Sequence, residues 1–137
     1  MKLKGKRAVI TGGSRGIGAA TAIALAAKGA DVAVVYHSNR EKAEQIVAAA
    51  KNHNVRAQAF GADLRNWDEV QQLMEGVIHS FGGIDILINS AGINGNNTLL
   101  EEITMDEWKN VIDSNLTSAF YCVKAAVRKK KKNQGKV

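Results

Sequence analysis

Apolar residues along the chain alternate between two rhythms. Arg7-Ala8-Val9-Ile10-Thr11 and Asp31-Val32-Ala33-Val34-Val35-Tyr36 are short and apolar almost throughout, the pattern of strands covered on both faces. Between them, Gly16 to Lys28 carries Ala, Ile and Leu at helical spacing and stops at Gly29, a residue suited to a left-handed C-cap. Ser38, with Glu41 three residues on, predicts a capping-box start for a second helix with Ala43, Ile46, Val47 and Ala50 on one face. Val55 to Phe60 alternates, as a strand nearer a sheet edge does. Asn66 and Glu69 predict the next helix start, with Val70, Leu73, Met74, Val77 and Phe81 as its buried stripe and Gly82-Gly83 as its stop. Ile84 to Asn89 reads as a fourth strand, followed by a Gly/Asn-rich loop from Gly92 to Thr98. Thr104 and Glu107 predict one long last helix, with Trp108, Val111, Ile112, Ala119, Val123 and Val127 facing inward, fading into Lys129 to Lys132.

Strands alternating with helices of this length imply right-handed βαβ crossovers. The expected fold is α/β: a three-layer, Rossmann-like, doubly wound parallel sheet of about four strands. No repeat, linker or second domain is apparent, so residues 1–137 read as a single unit. The rhythm stops after a helix, where a further strand would come next, so the sheet reads as truncated.

Composition narrows the class. The chain is 45% hydrophobic and 23% charged, ordinary for a globular protein. No apolar run approaches the roughly 18 residues of a membrane helix, and the short apolar segment after Arg7 is too brief for a signal peptide. Cys122 stands alone, which excludes an internal disulfide and a cysteine metal site. These features point to the cytoplasm. The net charge of +6 is local: residues 124–137 hold Lys124, Arg128 to Lys132 and Lys136 without any acid, and the rest of the chain is close to neutral. That distribution argues against a nucleic-acid partner. Proline is absent, where average usage would give about 5%, and the lysine run resembles a solubilising replacement, so an edited or designed origin is a second reading.

The chemistry lies in Thr11-Gly12-Gly13-Ser14-Arg15-Gly16-Ile17-Gly18, between the first strand and first helix. Glycine permits a positive-φ turn and lets backbone N–H groups approach an anion, while the helix dipole turns its positive end toward it. A tight strand–helix turn without a ligand is the alternative. The segment resembles the Thr-Gly-x-x-x-Gly-x-Gly fingerprint of the short-chain dehydrogenase/reductase family, and three further segments agree in order and spacing. These are Asp63 after the third strand, Asn89-Ser90-Ala91-Gly92 after the fourth (with Ser90 where the family has a second Asn), and Asn115 within Asp113-Ser114-Asn115-Leu116. The likeness is nearest to 3-oxoacyl-carrier-protein reductases and covers essentially the whole chain, but only the first half of a family member.

The resemblance implies strand order 3-2-1-4 and a dinucleotide-binding domain over residues 1–137. Gly12, Ser14, Arg15, Gly16, Ile17 and Gly18 would surround the cofactor phosphates and ribose. Asp63 and Leu64 would contact the adenine edge, and Asn89, Ala91 and Gly92 would line the floor under the nicotinamide ribose. Asn115 resembles the asparagine of the family's catalytic tetrad. The alternatives are that Asn89 serves the strand–loop junction and that Asn115 merely bends its helix or faces solvent. The stretch His37-Ser38-Asn39-Arg40 contains no acid to accept from a ribose 2′-OH, whereas His37, Ser38 and Arg40, with Arg15, suit a 2′-phosphate. NADP(H) is therefore expected over NAD(H).

The family's Ser and Tyr-x-x-x-Lys do not occur in these 137 residues. Tyr121 and Lys124 are spaced three apart rather than four and sit beside packing positions. The expectation is a dinucleotide-binding Rossmann half without catalysis. Its rivals are a folding or design model with no ligand function and a piece of an intact NADPH-dependent oxidoreductase. With no fifth strand, the edge from Ile84 to Asn89, or the last helix, is expected to support self-association.

Overall fold

The computed structural model describes residues 2–96 and 98–134, with side chains as far as Lys129. Four strands, β1 (Arg7–Thr11), β2 (Asp31–Tyr36), β3 (Ala57–Gly61) and β4 (Ile86–Asn89), form one parallel sheet in the order β3-β2-β1-β4. Val9 lies between Ala33 and Leu87 in register. Alternation of side chains along these strands feeds two cores. Ala8, Ile10, Val32 and Val34 point to one face, covered by α1 (Gly16–Ala27) and α2 (Arg40–Lys51). Val9, Ala33 and Val35 point to the other, covered by α3 (Trp67–Phe81) and the last helix. Ala22 and Ala26 are fully buried, and such small side chains let α1 come close to the sheet. Met74, Val70 and Val77 supply bulk on the opposite side at 0% exposure, each stabilising by about 1.5–3 kcal/mol.

The predicted order and both layers of helices are observed, with shifts at the ends. β3 begins at Ala57 rather than Val55, and β4 at Ile86 rather than Ile84. Ahead of β4, Asp85 bonds to Arg7 at 2.8 Å, and its backbone N–H donates to the Arg7 carbonyl at 2.8 Å. The α2 cap is Asn39, not Ser38: its side-chain oxygen accepts from Lys42 N at 3.1 Å. The other two caps form on one side only. Asn66 accepts from Glu69 N and Thr104 from Glu107 N, both at 3.1 Å. The glutamates turn elsewhere: Glu69 accepts from Asp63 N at 3.0 Å and Glu107 from Asn96 N at 2.8 Å. Both carboxylates therefore fix loops at the carboxyl end of the sheet.

The long last helix is interrupted. α4 (Met105–Ile112) runs into a π-helical turn (Asp113–Thr117), and α5 (Ser118–Gln134) comes after it. A π-turn adds one residue and rotates the next helical segment by about 100°. A stripe drawn with continuous 3.6-residue spacing therefore fails across it. Ser118, Cys122, Ala125 and Ala126 face the core, whereas Trp108, Val123 and Val127, expected inside, are 60%, 46% and 44% exposed. Among the described residues, no helix is long and apolar enough to cross a membrane.

Candidate functional site

The turns at the ends of the four strands gather at the sheet's carboxyl end, the place where open α/β sheets leave a crevice. They enclose a cleft of about 750 Å³. Its centre is the turn from β1 into α1. Gly12 has φ +62°, and a Cβ there would lie 2.8 Å from both Ala91 Cα and Ser90 O, so only glycine allows this approach. A Cβ on Gly18 would fall on the Gly12 carbonyl oxygen. Arg15 caps α1 with extended backbone, and no side-chain oxygen takes up the amides of the first turn. Those amides and the Arg15 guanidinium present positive potential to whatever occupies the cleft.

The floor is tied to β1 through one hydroxyl. Thr11 Oγ1, on a residue only 1% exposed, donates to Ile88 O at 3.4 Å and accepts from Ser90 N at 3.1 Å and Ala91 N at 3.2 Å. Beyond the floor, Asn115 clasps the peptide of Ile93. Its Oδ1 accepts from Ile93 N at 2.7 Å and its Nδ2 donates to Ile93 O at 2.9 Å. The residue neither idles in solvent nor simply bends a helix: the π-turn carries its amide to the β4 loop.

On the far wall, Asp63 receives a two-pronged bond from Arg65, Nε to Oδ1 at 3.0 Å and Nη2 to Oδ2 at 2.9 Å. The Arg65 fork holds the Asp63 carboxyl at about 2, below its ordinary 3.8, with burial opposing. The folded state favours the ionised form, so Asp63 stabilises fully above about pH 4 and loses that contribution as pH falls through about 2. Asp63→Asn is expected to melt below the parent chain at neutral pH, the two curves converging near pH 2. Melting curves that stay parallel down to that pH would contradict the linkage.

Most residues singled out from the sequence line this cleft: Gly12, Ser14, Arg15, Gly16 and Ile17 from the first turn, His37 and Ser38 from the second. Asp63 and Leu64 come from the third, and Ala91 and Gly92 from the fourth. Asn115 borders an adjoining open depression that also touches Arg15, Ser90 and Gly92. Three others lie outside the lining. Gly18 acts by close packing, Arg40 turns its guanidinium toward Glu44 at 3.8 Å, and Asn89 is exposed, opposite Thr11 in register.

The family profile described as short chain dehydrogenase matches residues 6–137. The chain belongs to the short-chain dehydrogenase family. It is 42% identical to a 3-oxoacyl-acyl-carrier-protein reductase of Staphylococcus epidermidis over 118 residues, 86% of this chain and 48% of that one. Its fold matches a short chain dehydrogenase from Burkholderia cenocepacia in complex with NADP, with a TM-score of 0.90 and 41% identity over 94% of this chain and 52% of that one. A NAD+-bound xylitol dehydrogenase matches at a TM-score of 0.91 and 32% identity, over 99% of this chain and 52% of that one. The chain spans about half the length of the curated relatives it matches.

Within this short-chain dehydrogenase site, sequence reasoning missed Asn39, Arg65, Asn110 and Ser114, all of which line the cleft. Asp63-x-Arg65 carried a usable signal, since an aspartate often accepts from the N–H two residues on; Arg65 N does donate to Asp63 Oδ1 at 3.0 Å. Asn110 and Ser114 offered none without knowing which helix face meets the cleft. Tyr121 and Lys124 serve the α3–α5 contact: the Tyr121 ring lies 5.4 Å from Trp67, and Lys124 Nζ lies 5.2 Å above the same indole.

Proposed function

We propose that residues 1–137 act as one dinucleotide-binding domain that holds NADP(H) in this cleft in preference to NAD(H) and does not turn it over. The observation that carries the reading is the β1–α1 turn, where glycines clear the space and uncapped α1 amides stand beside Arg15. The pyrophosphate lies over that helix start, against Gly12, Ser14, Gly16, Ile17 and the closely packed Gly18. Adenine lies by Asp63 and Leu64, and the nicotinamide ribose by Asn89, Ala91 and Gly92. The residues after β2 fit a 2′-phosphate: His37, Ser38 and Asn39 offer no carboxylate to repel it, and Arg15 lines the same cleft. Arg40 would have to leave Glu44 to join them. NADP in the Burkholderia complex supports the assignment, and NAD+ in the xylitol dehydrogenase shows that the family scaffold alone does not choose.

Of the family's catalytic groups only Asn115 stands in this chain, as one part of the tetrad. A positioned general acid contributes about 10²–10⁴-fold, and no Tyr-x-x-x-Lys supplies one here. The reductases among the relatives support a short-chain carbonyl reduction as the parent reaction. A cytoplasmic setting fits a nicotinamide cofactor and a lone cysteine. Only the sequence supports an edited origin.

NADPH at 100 times its dissociation constant is expected to stabilise the chain by about 2.7 kcal/mol, read as a rise in melting temperature. Arg15→Ala should weaken NADPH by about ten-fold or more and NADH far less, because it removes a charged bond to the 2′-phosphate. Adding a 3-oxoacyl thioester should consume no NADPH. Equal or tighter binding of NADH overturns the preference, and a melting point indifferent to both favours the folding model without a ligand.

We also propose self-association. Among the described residues β4 pairs with β1 alone, leaving Ile86–Asn89 as a sheet edge, and Phe120, Val123 and Val127 form a largely exposed apolar face on α5. Unpaired edges and apolar patches of this kind invite pairing. Sedimentation equilibrium at rising concentration should show a dimer; a monomer throughout would exclude both surfaces.

A further inference from the structure

Arg65 stands outside every motif, yet its guanidinium joins two walls of the cleft. Besides the fork on Asp63, its Nη1 donates to Asn110 Oδ1 at 2.7 Å, across 45 residues of sequence. Asn110 in turn accepts from Ser114 Oγ at 3.5 Å, and all four residues line the cleft. The chain Asp63–Arg65–Asn110 thus runs from the turn after β3 to α4.

The geometry leaves Asp63 little choice of orientation. Oδ1 accepts from both Arg65 N and Arg65 Nε, which uses its two acceptor directions, while Oδ2 accepts from Nη2 and keeps a second direction free. His37 Nε2 stands 4.0 Å from Oδ2, beyond hydrogen-bond reach. Without the fork, the bond from Arg65 N still holds Oδ1 to the turn, but Oδ2 is free to swing about it and no longer keeps one direction toward the cleft.

We propose that Arg65 is the positioning residue for the purine end of the dinucleotide: it fixes Asp63 against α4, so that the free direction of Oδ2 meets an exocyclic amine and the cleft prefers adenine to a 6-oxo purine. The inference rests on the dinucleotide reading above. An amine donates to the fixed carboxylate, whereas the carbonyl of hypoxanthine places an acceptor against it and leaves both unpaired. Lysine cannot replace arginine here, because one ammonium cannot span both oxygens and Asn110 together.

The test compares NADPH with its hypoxanthine counterpart on the full chain. The parent is expected to favour NADPH by about ten-fold, the worth of one bond to a charged acceptor. Arg65→Ala and Arg65→Lys should each bring the two within about two-fold, and Arg65→Ala should change nothing further once Asp63→Asn is present. The NADPH-to-NADH ratio, set at Arg15, should stay as in the parent, which a general collapse of the cleft would not allow. A ten-fold base preference that survives Arg65→Ala, or a cofactor ratio that falls with it, overturns the positioning role alone. A parent that binds neither dinucleotide overturns the reading beneath it as well.

Discussion

Gly18→Ala is expected to lower the melting temperature by about 5–10 °C and to remove measurable dinucleotide binding. The new Cβ would fall on the carbonyl oxygen of Gly12 and lie 3.1 Å from Gly13 Cα. Both obstacles are backbone, so no rotamer change relieves them. Overpacking of this kind costs about 1–3 kcal/mol where side chains can yield, and the rigid surroundings place this site toward the upper end. The turn has nowhere to retreat: Gly12 already approaches Ala91, and Gly13 is buried, with only 3.0 Å from its own Cβ position to a Val34 methyl. Moving α1 outward is the remaining escape, and that displaces the amides proposed to meet the phosphates. Thermal melting with and without NADPH reads both effects. A variant that melts within a degree or two of the parent and binds normally would show that the turn tolerates a side chain.

The parts of this arrangement visible in the sequence are those written over short distances. β1 and β2 were plain because both faces of each strand are buried, which leaves an apolar run with nothing to confuse it. The glycine turn was plain because its demands, a positive φ and a close helix–strand approach, fall on residues six apart. Ser38 and Asn39 are neighbours of equal capping ability, and only the direction of the chain leaving β2 selects Asn39. The π-turn has no compositional mark. It becomes necessary once Asn115 must reach Ile93, 22 residues away, and that requirement is not local. The same holds for Arg65 and Asn110. Side chains whose role is to join one loop to another stay silent until the loops are brought together, which is why the glycine turn was legible, and Asp63 and Leu64 on the far wall with it, while Arg65 and Asn110 were not.

Thr11→Val is expected to destabilise the chain by about 2–4 kcal/mol, roughly 10 °C in melting temperature, and to weaken the proposed binding of NADPH at its nicotinamide end. Valine has the shape of threonine, so the loss is chemical rather than steric. The hydroxyl is the acceptor for Ser90 N and Ala91 N, and replacing it with a methyl strands two backbone donors beside a residue 1% exposed. Each stranded donor costs about 1–3 kcal/mol, and the half-buried position of Ser90 and Ala91 lets cleft water recover part of that. The displaced peptide is the one against which Gly12 packs, so the floor and the glycine turn shift together. Thr11→Ser keeps the oxygen and gives up only a methyl. It should therefore melt close to the parent and bind NADPH as the parent does. If serine and valine at this position behave alike, the methyl is what matters, and the floor is held by packing instead of by the hydroxyl.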